Sequence, residues 1–240
     1  MSQTLTLTRI ETKLFVREWS GLFFVFALPL GLLTIFSLLG NDGSDGIPVS
    51  FLPTMAIGIG VGILGLASLP MILAGYREKG VLRRMSTTPV RPVKLLIAQL
   101  LLHVAAAVAV ILLILFVGKV AFGAALPGSP LMFTLAALLY CVSQLSIGLL
   151  IAGLVSTAKG ASVVGNILFF PSMFFAGVWT PGDVMPESLR WLRDITPMGA
   201  GMSSMQDAWA GNWPGTVHLV AMVAVTAACL ALAARYFRWE

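Results

Sequence analysis

Two histidines, His103 and His218, are the ionisable side chains that fall inside the long apolar runs of this sequence. An ionisable group in hydrocarbon is costly, so each is a candidate for transport chemistry. Proton-coupled carriage would need a carboxylate or a basic partner in another run, and the runs hold no Asp, Glu, Lys or Arg. Packing or interfacial hydrogen bonding is the better reading of both. Cys141 and Cys229 also lie in apolar runs without C-x-x-C spacing, and read as small packing residues, not as a disulfide framework or a zinc site. Lys159-Gly160 lacks the G-x-x-x-x-G-K-[ST] arrangement that cradles nucleotide phosphates. H-E-x-x-H, a carboxylate pair and a G-x-S-x-G elbow are missing too. The chain therefore reads as no enzyme: it binds no metal or cofactor of its own, and any ATP chemistry belongs to another subunit.

The elements around these residues are set by composition. The 240 residues are 58% hydrophobic and 10% charged, whereas soluble domains carry roughly 45–50% apolar and about 25% charged residues. A membrane-spanning helix needs about 20 apolar residues. Six stretches meet that demand: Gly21–Leu39, Phe51–Ala74, Leu95–Gly118, Pro130–Val155, Ser162–Thr180 and Pro214–Ala234. The fold class predicted is all-α: residues 1–20 form an amphipathic interface helix, 21–234 a six-span domain, and 235–240 a tail. The charged first 20 residues and the long run after them do not read as a cleavable signal peptide.

Lys/Arg asymmetry orients the chain. Arg9, Lys13, Arg17, Arg77, Lys79, Arg83, Arg84, Arg91, Lys94, Lys159, Arg235 and Arg238 fall on one side. Lys119, Arg190 and Arg193 fall on the other, with Asp42, Asp45, Asp183, Glu187, Asp194 and Asp207. The richly basic side is cytoplasmic, which puts both termini inside a plasma membrane. The net charge of +5 then answers to topology and anionic lipid, not to nucleic acid.

Two segments outside the spans are patterned. In residues 5–19, Leu7, Ile10 and Leu14 share one helix face while Arg9, Lys13 and Arg17 form a row on another. This predicts a helix lying in the inner interface with Trp19 as anchor, the alternative being an ordinary basic flank. Between Pro181 and the last run, Leu189, Leu192 and Ile195 share a face; after Pro197 comes a stripe of Met198, Met202, Met205 and Trp209. Two short helices at the outer leaflet follow. The stripe reads first as packing, and otherwise as an outer gate or substrate surface, since Met adapts to varied partners. Gly58-x-x-x-Gly62 marks a possible close helix approach, and Ser143, Gln144, Ser146 and Asn166 read as glue between helices.

The loop Tyr76–Leu95 orders Glu78-Lys79-Gly80, a hydrophobic–basic stretch with Leu82, Arg83 and Arg84, and a Thr-Pro stop at Pro89. A merely solvated basic loop explains the charge and not this order. At these residues the sequence resembles the permeases of type-2 ATP-binding-cassette exporters, notably the small daunorubicin-resistance-like drug-efflux permeases. E-K-G-x-L-x-R-x-x-x-x-P at Glu78–Pro89 looks like that family's loop between spans two and three. Phe175–Pro186, Trp191 and Thr196-Pro197 look like its outer signature.

The resemblance implies a bacterial membrane subunit that pairs with a second permease copy or sibling and with two ATPase subunits carrying ATP and magnesium. Glu78, Lys79, Gly80, Leu82, Arg83, Arg84 and Pro89 would couple to the ATPase, with the helix of Arg9, Lys13 and Arg17 as a second contact. The cargo would be a lipophilic or amphiphilic compound (drug, antibiotic or lipid-like) moved outward. Two alternatives stay open: an ATPase-independent secondary carrier, and a membrane scaffold.

Overall fold

The computed structural model describes residues 3–39, 50–81, 93–179 and 187–236. Every regular element among them is helical. Helix α1 covers Gln3–Arg17. Six helices are long and apolar enough to cross a membrane: α2 (Trp19–Leu38), α3 (Phe51–Glu78), α4 (Val93–Phe122), α5 (Pro130–Leu154), α6 (Ala158–Phe175) and α9 (Thr216–Tyr236). Two short helices, α7 (Glu187–Ile195) and α8 (Pro197–Trp209), stand before the last span.

Helix α3 is the centre, with 72% of its most apolar window buried, and α5 is next at 67%. The corresponding share is 39% in α4, 22% in α6, and 17% in both α2 and α9. Helix α9 lies along α5, α6 along α3, and α1 along α4. Lipid is as apolar as leucine, so such helices gain little from hydrophobic burial against each other and rely on close packing and polar bonds.

Two prolines shape that packing. Pro29 and Pro70 cannot donate to the carbonyls of Val25 and Leu66 four residues earlier. At both places the helix widens into a π-turn, over Phe23–Ala27 in α2 and Ile63–Ser68 in α3. The released carbonyls face glycines of neighbouring helices: Leu66 O sits against Gly165 of α6 and Val25 O against Gly60 of α3. The adjacent Gly65 O sits against Gly148 of α5, and neither Gly165 nor Gly148 has room for a Cβ. Short Cα–H···O contacts of this kind are the weak bonds that close helix approach permits.

The helix ends differ from the lengths of the apolar runs. Helix α6 begins at Ala158, ahead of the run, because Thr157 caps it: its hydroxyl accepts from Gly160 N at 3.1 Å. It stops at Phe175, not at 180, because Gly177 takes φ +80° and Gly177 N and Val178 N turn back to Phe174 O and Met173 O. Helix α4 extends over Lys94 and Lys119, and α3 carries Arg77 and Glu78 in its last turn. Long charged side chains at helix ends reach the interface while their backbone stays helical.

Candidate coupling junction

The basic end of α3 is fastened on two sides by consecutive residues. Arg77 Nη1 donates to the carbonyls of Ala152 and Gly153 in the last turn of α5, both at 3.3 Å. Glu78 Oε2 accepts from the amide of Ala158, the first residue of α6, at 2.9 Å. A helix leaves unpaired carbonyls and negative potential at its C-terminus, and unpaired amides and positive potential at its N-terminus. A cation on the end of α5 and an anion on the start of α6 match both demands. Gly80 then turns the chain out of α3: it takes φ +64°, and its amide donates to Arg77 O at 3.0 Å. That left-handed conformation strains any residue with a Cβ.

Helix α1 joins the same junction through a buried acid. Glu11 is 7% exposed. Its Oε2 accepts from Tyr76 Oη at 2.5 Å and from Gln99 Nε2 at 2.7 Å. Tyr76 lies in the last turn of α3 and Gln99 in the second turn of α4, so one carboxylate ties three helices. Burial pushes the Glu11 carboxyl above the ordinary glutamate range, and the bonds from Tyr76 and Gln99 offset part of that rise. Phe15, one turn on, is buried edge-to-face with His103, ring centroids 6.2 Å apart.

His103 itself is fully satisfied. Its Nδ1 lies 2.8 Å from Gln99 O and its Nε2 3.3 Å from Ser68 Oγ. A carbonyl only accepts, so Nδ1 carries the proton and Nε2 takes the hydroxyl hydrogen of Ser68. This is a structural histidine between α3 and α4.

The residues predicted for coupling divide in three. Glu78, Lys79 and Gly80 stand at the junction. Arg9, Lys13 and Arg17 are exposed on α1, turned away from the Glu11–Phe15 face. Leu82, Arg83, Arg84 and Pro89 lie outside the described residues. Ile10 and Leu14 of the expected apolar face are about half exposed, at 50% and 52%. The face that docks on protein is the one carrying Glu11 and Phe15. Sequence reasoning missed Glu11, Tyr76, Arg77 and Gln99 as a group. Two signals pointed to them: an acid within a basic amphipathic helix, and a glutamine near the start of a charge-free apolar run.

At the opposite end the Met stripe is closed packing. Met198, Met202 and Met205 are each 0% exposed and Trp209 is 9% exposed. Met202 and Met198 fill the space over Gly58, and the Trp209 ring meets Phe133 edge-on at 5.6 Å. Arg193 braces α7 on α8 by donating to Ser203 Oγ at 3.0 Å and Gln206 Oε1 at 3.1 Å. Gln206 in turn donates to Thr54 Oγ1 of α3 at 3.2 Å. His218, the first-turn residue of α9, has Nε2 3.1 Å from Asp194 Oδ1 and Nδ1 3.9 Å from Asp207 Oδ2. Both acids lie outside the spans, so an inspection of the apolar runs alone cannot pair them with it.

Among known proteins, the ABC-2 type transporter family matches residues 2–209. The Escherichia coli K12 protein described as "Probable multidrug ABC transporter permease YbhS" is 27% identical over 161 residues, which cover 66% of this chain and 43% of that protein. "Probable multidrug ABC transporter permease YbhR" of the same strain is 25% identical over 164 residues, covering 64% of this chain and 44% of that protein. The chain thus spans less than half the length of the curated relatives it matches. The match takes in the first five spans, the Arg77–Glu78 junction and both short helices, and on that extent the chain belongs to the ABC-2 type transporter family.

Proposed function

We propose that this chain is the membrane-spanning permease subunit of an ATP-binding-cassette exporter. It moves a lipophilic or amphiphilic compound outward, using ATP hydrolysed with magnesium on a separate subunit. The observation that carries the reading is the junction at Arg77–Glu78. The loop that begins at Lys79 leaves from a point fixed to α5 and α6, with α1 and α4 joined one turn earlier through Glu11, Tyr76 and Gln99. A push on that loop therefore reaches five helices without having to bend one of them. Two discrete packings of such a junction would be the element that ATP binding biases.

Two ATPase subunits and a second permease copy or sibling complete the assembly. The small buried shares of α2, α6 and α9 leave apolar faces for lipid and for that second permease. The Lys/Arg bias puts the junction and both termini on the cytoplasmic side of the plasma membrane. In this state Met198, Met202, Met205 and Trp209 would form the outer closure. The test is co-expression with the candidate ATPase. Glu78→Ala combined with Arg83→Ala and Arg84→Ala should lower transport far more than ATPase turnover. Transport and turnover both unchanged would remove the loop from the mechanism.

A further inference from the structure

Helix α6 has two unlike faces. Ala161, Gly165, Phe169 and Met173 recur every four residues and are buried. Gly165 lies on the Leu66 carbonyl, and the Phe169 ring covers Gly62 of α3. The opposite face carries Val163, Asn166, Ile167, Phe170 and Phe174, all exposed. Four of these suit lipid, and Asn166 does not.

Three carboxamides stand within the described spans. Gln99 and Gln144 are each 1% exposed inside the bundle, whereas Asn166 is on its outside. It stands at mid-span, with about 12 Å of helix between it and Ala158. That places it deep in a hydrocarbon layer about 30 Å thick. Among the described residues its carboxamide reaches one group: Nδ2 lies 3.5 Å from Ser162 Oγ, the long limit of a hydrogen bond. The hydroxyls of Thr134, Ser172 and Thr226 avoid this difficulty by donating to carbonyls four residues earlier in their own helices. A carboxamide has two donor hydrogens and an acceptor oxygen to satisfy. Pro171, also exposed, adds a second polar group nearby, because it has no amide to donate to the carbonyl of Ile167. Hydrocarbon can bond neither group.

A face with these groups needs protein opposite it. Two permease copies cross the membrane in the same sense, so a two-fold axis along the membrane normal sets like residues at like depth. Among the described residues no other carboxamide or charged side chain is exposed at mid-span. The partner available to Asn166 at its own depth is therefore Asn166 of a second copy. The pair is self-complementary, each NH2 donating to the other oxygen. The exposed faces of α2 and α9 carry no carboxamide or charge at mid-span and suit lipid.

We propose that α6 makes the contact with a second copy of this chain, its exposed face packed on itself about a two-fold axis with the two Asn166 side chains bonded to each other. This rests on the pairing of permeases proposed above and names the face that makes it.

The test uses the full chain in phosphatidylcholine–phosphatidylglycerol vesicles without an ATPase, in a background of Cys141→Ala and Cys229→Ala. Phe170→Cys lies one turn from Asn166. Val220→Cys on the exposed face of α9 and Phe36→Cys on that of α2 are the comparisons. Copper phenanthroline should convert Phe170→Cys to a disulfide-linked dimer and leave the other two monomeric. Asn166→Leu should weaken self-association about three- to tenfold, read by energy transfer between tagged copies diluted in lipid, and Asn166→Gln should keep most of it. No disulfide at Phe170→Cys, or Asn166→Leu associating as tightly as the unaltered chain, overturns the proposal. Phe170→Cys reacting with a membrane-impermeant maleimide in place of forming the disulfide overturns it too, by putting the face on a water-filled path. Dimers linked through Val220→Cys or Phe36→Cys instead would overturn this face and keep the pairing. Copies that stay apart throughout would remove the pairing as well.

Discussion

Glu78 Oε2 accepts a hydrogen bond from the backbone amide of Ala158 at 2.9 Å, across 80 residues of sequence. The residue that ends α3 therefore also starts α6. With Arg77 on the carbonyls of Ala152 and Gly153 in the last turn of α5, the turn between α5 and α6 is held from outside by the end of α3. The junction is one unit because helix ends have unpaired groups and these two side chains supply the partners.

Removing the cap separates stability from coupling. Glu78→Ala should cost about 0.5–1 kcal/mol of stability, the low range for a solvent-exposed cap. Transport per ATP hydrolysed should fall several-fold, because α6 no longer follows α3. Glu78→Gln keeps an acceptor for the Ala158 amide and should retain most of the stability. Thermal melts in detergent and a transport-to-hydrolysis ratio in proteoliposomes check both halves.

Glycine substitutions should split by position. Gly165 faces the Leu66 carbonyl with no space for a methyl group, whereas Gly31 has nothing within 4 Å of a Cβ. Gly31→Ala should be neutral or gain up to about 1 kcal/mol from helix propensity. Gly165→Ala should lose about 1–3 kcal/mol, since the obstacle is backbone and cannot rotate away. Melting temperatures of the two variants, measured side by side, decide the point.

How much of this was legible in the sequence depends on the range of the interaction. The six spans were legible because a charge-free run is a local property. So were α1 and the paired short helices α7 and α8, each written in a local helical period. The start of α6 at Ala158 was obscured by Lys159, which looks like an interruption of an apolar run and is a first-turn residue behind a Thr157 cap. The bonds of Glu11 to Tyr76 and Gln99 span 65 and 88 residues, and no periodicity encodes them. The same holds for His218, whose acidic neighbours come from helices outside the spans.

Docking of α1 should depend on pH through Glu11. Its folded value is raised, mainly by burial. The folded chain then holds this proton more tightly than the unfolded chain. The stabilisation from the protonated form is fully present below the ordinary glutamate value, about 4.3. It is lost as pH rises through the raised folded value. Proteolytic protection of α1 should therefore increase as the medium is acidified toward that ordinary value, and Glu11→Gln should flatten the profile. A profile unchanged by Glu11→Gln would assign the pH dependence to another group.

The Met stripe should respond as a core. Met202 is 0% exposed and touches the Gly58 position. Met202→Ala should cost about 2–5 kcal/mol by opening a cavity between α8 and α3. Met202→Leu, nearly equal in volume, should cost less than about 1.5 kcal/mol. Thermal melts of both variants, with an accessibility probe at Gly58→Cys to report loosening of the outer end, test the assignment.

The central claim is that this chain carries cargo only when driven by a separate ATPase. Inside-out membrane vesicles holding the chain with its candidate ATPase measure it directly, with a fluorescent lipophilic compound as the probe. The account predicts probe accumulation that requires ATP, vanishes when either subunit is omitted, and persists after ion gradients are collapsed. Accumulation driven by an ion gradient in vesicles that contain this chain and no ATPase would contradict it.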